Sequence, residues 1–369
     1  MHYQKTITDR KFILCHRCGM RNENIPIEES TKVLCGRCHS TLYEKYNENN
    51  LYKSLCFALA ALILFIPAQL YPVLTFELVG AQYTTTIFES ALVLYNLEYY
   101  LLALVIVLSA IVFPLINSVL ILLIYLQNSY GLYFFQKRSL YKFFLFIKTV
   151  SLVEVYLLAF VVAYIKLADI SDVYFNTSFY FFIAYIVCYY FSNKTLHFTK
   201  IYKFEKKIPE SYNISLALVF TGLILYIPAN ILTMMNISKF GDITPDTILS
   251  GVISLIDSDM YLVAIVVFVA SIIIPLFKLL GMLFLLLSIR FNFYRNKIMK
   301  LRLYRFIESI GKWSILDIYM MGILCAVVKS ESVAYIEPGL ASVYFTTVVL
   351  TTMLATATFD TKLIWNNNE

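Results

Sequence analysis

Residues 66–69 read Ile-Pro-Ala-Gln and residues 227–230 read Ile-Pro-Ala-Asn, each inside an apolar run long enough to span a bilayer. The offset, from 66 to 227, is 161 positions, and the same offset pairs Glu98 with Asp259 and Pro114-Leu115 with Pro275-Leu276. One register therefore holds across two apolar segments and the loop between them. Further on it slips by two: Glu154-Val155-Tyr156 aligns with Asp317-Ile318-Tyr319, and Lys166 with Lys329. This is a duplication with small insertions.

The composition sets what is duplicated. Mean hydropathy is +0.72, 60% of the 369 residues are hydrophobic and only 15% are charged, against about a quarter charged in soluble domains. Apolar runs near residues 54–75, 99–127, 149–167, 174–192, 214–235, 260–289, 313–329 and 340–359 predict eight membrane spans. The runs at 99–127 and 260–289 exceed what a straight span needs, so they tilt or project. Four spans per copy is an even number. Both copies then enter and leave on one side as parallel repeats about the membrane normal, a plan used by transporters and by purely structural membrane proteins. The predicted fold class is an all-α polytopic membrane protein, two tandem parallel four-helix repeats behind a small zinc ribbon.

Charge orients the chain. Basic loops follow the second span (Lys137, Arg138, Lys142, Lys148), the fourth (Lys194, Lys200, Lys203, Lys206, Lys207) and the sixth (Arg290, Arg295, Lys297, Lys300, Arg302, Arg305), while the alternate loops are acidic. The net charge of +6 thus reads as topology, with no nucleic-acid surface. Residues 1–50 are polar and lack the apolar core of a signal peptide. Both termini are expected in the cytoplasm. Residues 1–50 form the expected cytoplasmic ribbon, 51–193 the first repeat, 194–213 a basic cytoplasmic linker and 214–369 the second repeat. Between the first two spans of each copy, Ile87, Ala91, Leu94 and Tyr95, matched by Ile248, Val252, Leu255 and Ile256, predict an amphipathic periplasmic helix along the membrane surface. It serves either as a plain cap on the helix pair or in lipid entry or partner docking.

The most specific local signal is Cys15-His16-Arg17-Cys18 followed, 16 residues later, by Cys35-Gly36-Arg37-Cys38. That spacing fits a four-cysteine zinc ribbon, with Gly19 and Gly36 expected to relieve the two turns. Four thiolates close the tetrahedron, so Zn²⁺ here is structural, and so short a module takes most of its folding free energy from metal. A pair of redox dithiols is the competing reading, disfavoured in a reducing cytoplasm. His16 and His39 are spare ligands. Cys56, Cys188 and Cys325 stand alone in apolar runs and read as packing residues.

Ionisable residues inside spans are costly unless they pair or line water. Glu154 and Asp317, Lys166 and Lys329, and the unmatched Lys278 and Lys312 are therefore the candidate transport and charge network. Glu154 and Lys166 lie 12 residues apart, about 18 Å along a helix, so their partners come from other helices. Against this stands a structural reading in which the lysines snorkel to the surface and the acids brace helix contacts. Pro67, Pro114, Pro228 and Pro275 kink their spans, either opening a cavity or shaping packing.

The ribbon, the Ile-Pro-Ala-Asn span and Gly311-Lys312-Trp313-Ser314-Ile315-Leu316-Asp317-Ile318-Tyr319 together resemble the paraquat-inducible protein A family, which includes the A component of the lipophilic envelope-spanning tunnel system. Val150-Ser151-Leu152-Val153-Glu154-Val155-Tyr156 is the degenerate counterpart of the last motif. The resemblance covers essentially the whole chain. It implies an inner-membrane subunit of Gram-negative lipid trafficking that works with a periplasmic mammalian-cell-entry (MCE) family tunnel protein and handles phospholipid. Members commonly carry a second ribbon before the second copy, whereas residues 193–213 contain no cysteine, so a second zinc site is not expected. There is no Walker A sequence, and His197 is the one histidine beyond residue 39, which argues against an enzyme. A proton-coupled lipid transporter subunit is the leading expectation. A non-transporting scaffold for the tunnel protein is the alternative.

Overall fold

Each copy of the duplicated sequence folds into the same succession of elements. The computed structural model describes residues 12–15, 17–23, 32–44, 48–78, 81–130, 137–168, 172–195, 208–239, 242–291, 296–330 and 334–365. The ribbon is two hairpins, β1 (Phe12–Leu14) with β2 (Arg21–Glu23), and β3 (Lys32–Leu34) with β4 (Thr41–Glu44). The first repeat runs α1 (Glu48–Leu70), β5 (Leu74–Leu78), β6 (Ala81–Thr85), α2 (Ile87–Asn96), α3 (Tyr100–Ile106), α4 (Phe113–Ser129), α5 (Lys137–Val150), α6 (Val153–Ala168), β7 (Asp172–Phe175) and α7 (Thr177–Thr195). The second runs α8 (Ile208–Ile231), β8 (Met235–Lys239), β9 (Asp242–Asp246), α9 (Ile248–Asp257), α10 (Tyr261–Phe268), α11 (Ile274–Arg290), α12 (Lys297–Ile310), α13 (Leu316–Val327), β10 (Lys329–Ser330), β11 (Ala334–Pro338) and α14 (Leu340–Thr358). Of the expected linker 194–213, residues 196–207 lie outside the described residues.

The matched residues of the two copies do matched structural work. α3 continues into α4 through π-helical residues Val107–Val112, and α10 into α11 through Val269–Ile273. Pro114 and Pro275 follow these wide turns, where a ring that cannot donate an N–H is absorbed without ending the helix. Each composite is 30 residues long, about 45 Å, more than the hydrocarbon core requires. Glu98 and Asp259 both take left-handed backbone (φ 68° and 59°) at the turn from the amphipathic helix into the second span. Their pairing reflects that turn.

Among the described residues seven helices are long and apolar enough to cross a membrane. The segment expected near 174–192 is α7, 19 residues long, whose four tyrosines, Asn193 and Lys194 lower its apolarity. It packs along α1 as α14 packs along α8, so it holds the fourth place of its bundle. The acidic loops are not short turns. β6-β5-β7 form one antiparallel sheet and β10-β11-β8-β9 another, which pairs the backbone polar groups of these segments with one another.

The third span departs most from expectation. The runs near 149–167 and 313–329 are not single straight helices: α5 gives way to α6 at Ser151-Leu152, and α12 passes through a 3-10 segment, Gly311–Ile315, into α13. α5 and α12 are amphipathic arms, and α6 and α13 are the short inner halves. α13 has all 12 of its residues buried, and it packs on α6, α2 and α3 of the other copy. Tyr156 of α6 and Tyr319 of α13 meet edge to face at 4.7 Å between ring centroids. Tyr156 shares a hydrogen bond with Ser90 (2.6 Å), and Tyr319 donates to Ser109 (2.7 Å) across the boundary between copies. The two copies therefore share one core.

Gly339 leads from β11 into α14 where a Cβ would lie 2.1 Å from the Thr233 carbonyl oxygen, while a Cβ on Gly36 meets nothing within 4 Å. Gly339→Ala is expected to cost about 1–3 kcal/mol and lower the thermal unfolding midpoint of the purified protein, with Gly36→Ala unchanged. Equal midpoints for the two variants would contradict this packing.

Candidate metal centre and inter-repeat cleft

The two knuckles of the ribbon are near copies of one another. Cys15 N–H donates to Met20 and Gly19 N–H to Cys15; Cys35 N–H donates to Ser40 and His39 N–H to Cys35, all at 2.8–2.9 Å. The fifth position of each turn takes left-handed backbone, Gly19 at φ 71° and His39 at φ 54°. Gly19 thus relieves its turn as expected. In the second knuckle His39, and not Gly36, occupies that position, and it is exposed. His16 lies outside the described residues.

The four thiols of Cys15, Cys18, Cys35 and Cys38 are buried, and their sulfurs lie within 4.8 Å of one another. Cys15 and Cys38 Sγ are 3.6 Å apart, and Cys18 and Cys35 Sγ 3.5 Å. A tetrahedral thiolate site with metal–sulfur bonds of about 2.3 Å places sulfurs about 3.8 Å apart, so the cluster fits a metal ion. Burial pushes the Cys18 and Cys38 thiols up. It also acts on Cys35, where hydrogen bonds from the backbone of Cys38 and Arg37, with Cys18 and Asn22, outweigh it and bring the thiol down to about 7. Deprotonation for metal binding begins most readily there.

The ribbon is seated on the second repeat. Arg17 pairs with Glu308 at 3.2 Å, Arg305 donates to the Cys38 carbonyl at 3.1 Å, and Thr361 donates to the Arg17 carbonyl at 2.9 Å. The Arg37 guanidinium lies 4.2 Å from the Trp365 ring centroid. The cysteines and Leu42 continue into an apolar cluster with residues of α8, α11, α12 and α14. Nothing in the cysteine spacing pointed to this seat.

The charged candidates of the spans divide. Asp317, in the first turn of α13, is 4% exposed, and both its carboxylate oxygens are buried without a hydrogen-bond partner among the described residues. Ser271, in the π-helical turn beside it, donates instead to the Val267 carbonyl at 2.7 Å. Asp317 lines a cleft of about 290 Å³ with Lys166 from the other copy, Asp246, Ser271 and Met320. A Cβ on Gly251 would lie 3.1 Å from Asp246 Oδ2 and 3.6 Å from Lys166 Nζ, so these two side chains converge over that glycine. One cation and two carboxylates thus meet between the copies.

The other four candidates lie elsewhere. Glu154, the sequence counterpart of Asp317, is exposed. Lys329 does not sit in the third span: α13 ends at Val327 and Lys329 starts β10, opposite Tyr335. Lys278 is fully buried in α11, donating to Thr352 Oγ1 at 2.8 Å and toward the Gly311 carbonyl, freed by the helix break, at 3.5 Å. Lys312 is half-buried in the 3-10 segment. Sequence reasoning placed Asp246 only in an acidic loop and passed over Ser271 and Gly251. A signal existed: in the 161-residue register Asp246 faces Thr85 and Gly251 faces Ser90, so the copies diverge at the cleft.

Fold and sites define a polytopic membrane protein of two tandem helical repeats, with a metal-binding cysteine ribbon seated on the second. The family described as paraquat-inducible protein A matches residues 51–204 and 212–369, and the chain belongs to that family. It is 27% identical over 403 residues to a probable intermembrane transport protein of Haemophilus influenzae, covering 96% of each chain. It is 26% identical over 402 residues to the intermembrane transport protein PqiA of Escherichia coli K12, again over 96% of each. Lipophilic envelope-spanning tunnel protein A of Escherichia coli is 35% identical over 153 residues, 42% of this chain and 36% of that one. No solved structure matches.

Replacing Cys18 or Cys35 by serine is expected to abolish the metal content of the purified protein, read by elemental mass spectrometry. Cys325→Ser, buried in α13, should leave it unchanged.

Proposed function

We propose that this protein is an inner-membrane subunit of an MCE-type intermembrane lipid transport system that loads phospholipid into, or receives it from, a periplasmic tunnel partner. The observation that carries the reading is Asp317: a carboxylate buried without a partner costs several kcal/mol in a membrane protein, and a scaffold has no use for that cost. The names of the full-length relatives support intermembrane transport, and that of the partial relative supports a tunnel partner. The basic loops support cytoplasmic termini and a cytoplasmic ribbon. The ribbon holds structural Zn²⁺, the metal that four buried thiolates at this spacing favour. Arg17, Arg37 and Arg305 tie the knuckles to the second repeat, so the ion's role there is to keep the ribbon seated.

In the transport step, Asp317 faces Lys166 and Asp246 at the boundary between copies. Protonation of Asp317 removes one of two negative charges and relaxes the grip on Lys166, which belongs to the other copy. The proton gradient is then the energy source, and no catalysis is assigned. Asp317→Asn is expected to accumulate to the wild-type level in membranes yet fail to restore the envelope barrier in a strain lacking the protein, with Asp317→Glu restoring part of it. Full restoration by Asp317→Asn would defeat the coupling and favour the scaffold.

A further inference from the structure

The cleft between the copies has a floor, a mouth and one thin wall. Asp317, Met234, Met235 and Met320 are buried and form the floor. Lys166, Asp246 and Thr247 are partly exposed and mark the mouth. The wall is α9: Ile248 and Gly251 line the cleft, while Leu249, Ile253 and Ile256 on the other face are 52%, 50% and 42% exposed. No charge interrupts that outer face, and the first residues of α10, Tyr261, Leu262 and Ile265, continue it as exposed apolar surface along a membrane-crossing helix. A polar, carboxylate-rich cleft and an acyl-compatible surface thus lie on opposite faces of one ten-residue helix.

The first copy lacks this arrangement. Ser90, at the position of Gly251, is fully buried and bonded to Tyr156, and Thr85 stands where the second copy has Asp246. The duplication has been specialised on one side only.

Resting on the lipid-handling reading above, we infer that the cleft behind α9 is a head-group site selective for phospholipids whose head group carries an ammonium. The acyl chains lie on the outer face of α9. The charges decide the class: two carboxylates, one of them buried without a partner, face a single lysine, so the lining carries a net negative charge. A zwitterionic head group places its ammonium against Asp317 and Asp246 and its phosphate against Lys166. An anionic head group with no cation leaves both carboxylates unmatched and is repelled. The cleft, at about 290 Å³, has no room for a pair of acyl chains, which therefore stay outside on α9. Gly251 is the residue that keeps the mouth open, because any side chain there meets Asp246 and Lys166.

The test uses the purified full-length protein titrated with short-chain phosphatidylethanolamine or phosphatidylglycerol, with bound lipid counted by native mass spectrometry. The expected preference for the amine lipid is about tenfold, the equivalent of one charge contact. Asp246→Asn should erase most of it, and Gly251→Leu should abolish binding of both lipids. Leu249→Ser with Ile253→Ser should weaken both lipids equally and leave the preference intact. Equal binding of the two lipids by the wild type, or wild-type binding by a folded Gly251→Leu protein, overturns the site. Selectivity in vitro without any effect of these variants on the envelope barrier would count against the transport reading and not against the site. The opposite pattern would count against the site alone.

Discussion

Everything in this protein is arranged around a half-helix that has no lipid-facing side. α13 buries all 12 of its residues, and it does so against α6, α2 and α3 of the other copy. A bilayer gives apolar helices little reason to associate, so shape, small residues and hydrogen bonds must do it. Gly322 sits where a Cβ would approach Ile106 of the first copy to 2.5 Å, and the Tyr319–Ser109 and Tyr156–Ser90 bonds fix the same contact. Breaking the third span makes this possible. The amphipathic arms α5 and α12 occupy the end where the ribbon docks, and only the short inner halves enter the centre.

The break also creates the chemistry. Backbone carbonyls released from a helix in the membrane must find donors, and the Gly311 carbonyl lies against Lys278, whose ammonium is held by Thr352. Asp317 enters two residues into the next helical segment, where the free N–H groups and the helix dipole favour a negative charge. What remains of its desolvation cost is met by Lys166 from across the boundary. In the first copy the corresponding break carries Glu154, which is exposed. Two copies of one plan thus yield one buried charged cleft.

The ribbon shows the same interdependence at the opposite end. A module this small cannot bury enough surface to fold by itself. Metal supplies part of what is missing, and the second repeat supplies the rest through an apolar cluster, one ion pair and two backbone acceptors in the knuckles. The knuckle carbonyls that accept from Arg305 and Thr361 belong to Cys38 and Arg17, at or next to the metal-binding thiols, so metal occupancy and docking are linked by geometry.

The sequence by itself determined what depends on local composition and spacing. Hydropathy over 20-residue windows exposed the spans, a fixed offset exposed the duplication, and two pairs of cysteines 16 residues apart exposed the metal centre, because each signal lies within one segment or repeats at one period. The helix break at Gly311–Ile315 was invisible to a hydropathy window, which averages across it. The acidic loops read as turns because their strand partners lie up to a hundred residues away, β5 pairing with β7 and β8 with β11. Six ionisable residues looked alike in sequence, since apolar neighbours surround them all. Only tertiary structure separated Asp317 and Lys166, which converge with Asp246 across the boundary between copies, from Glu154, which faces outward, and from Lys329, which has left the helix. Which side of a helix meets a partner is a property of packing, and in a membrane, where every side is apolar, sequence carries almost no record of it.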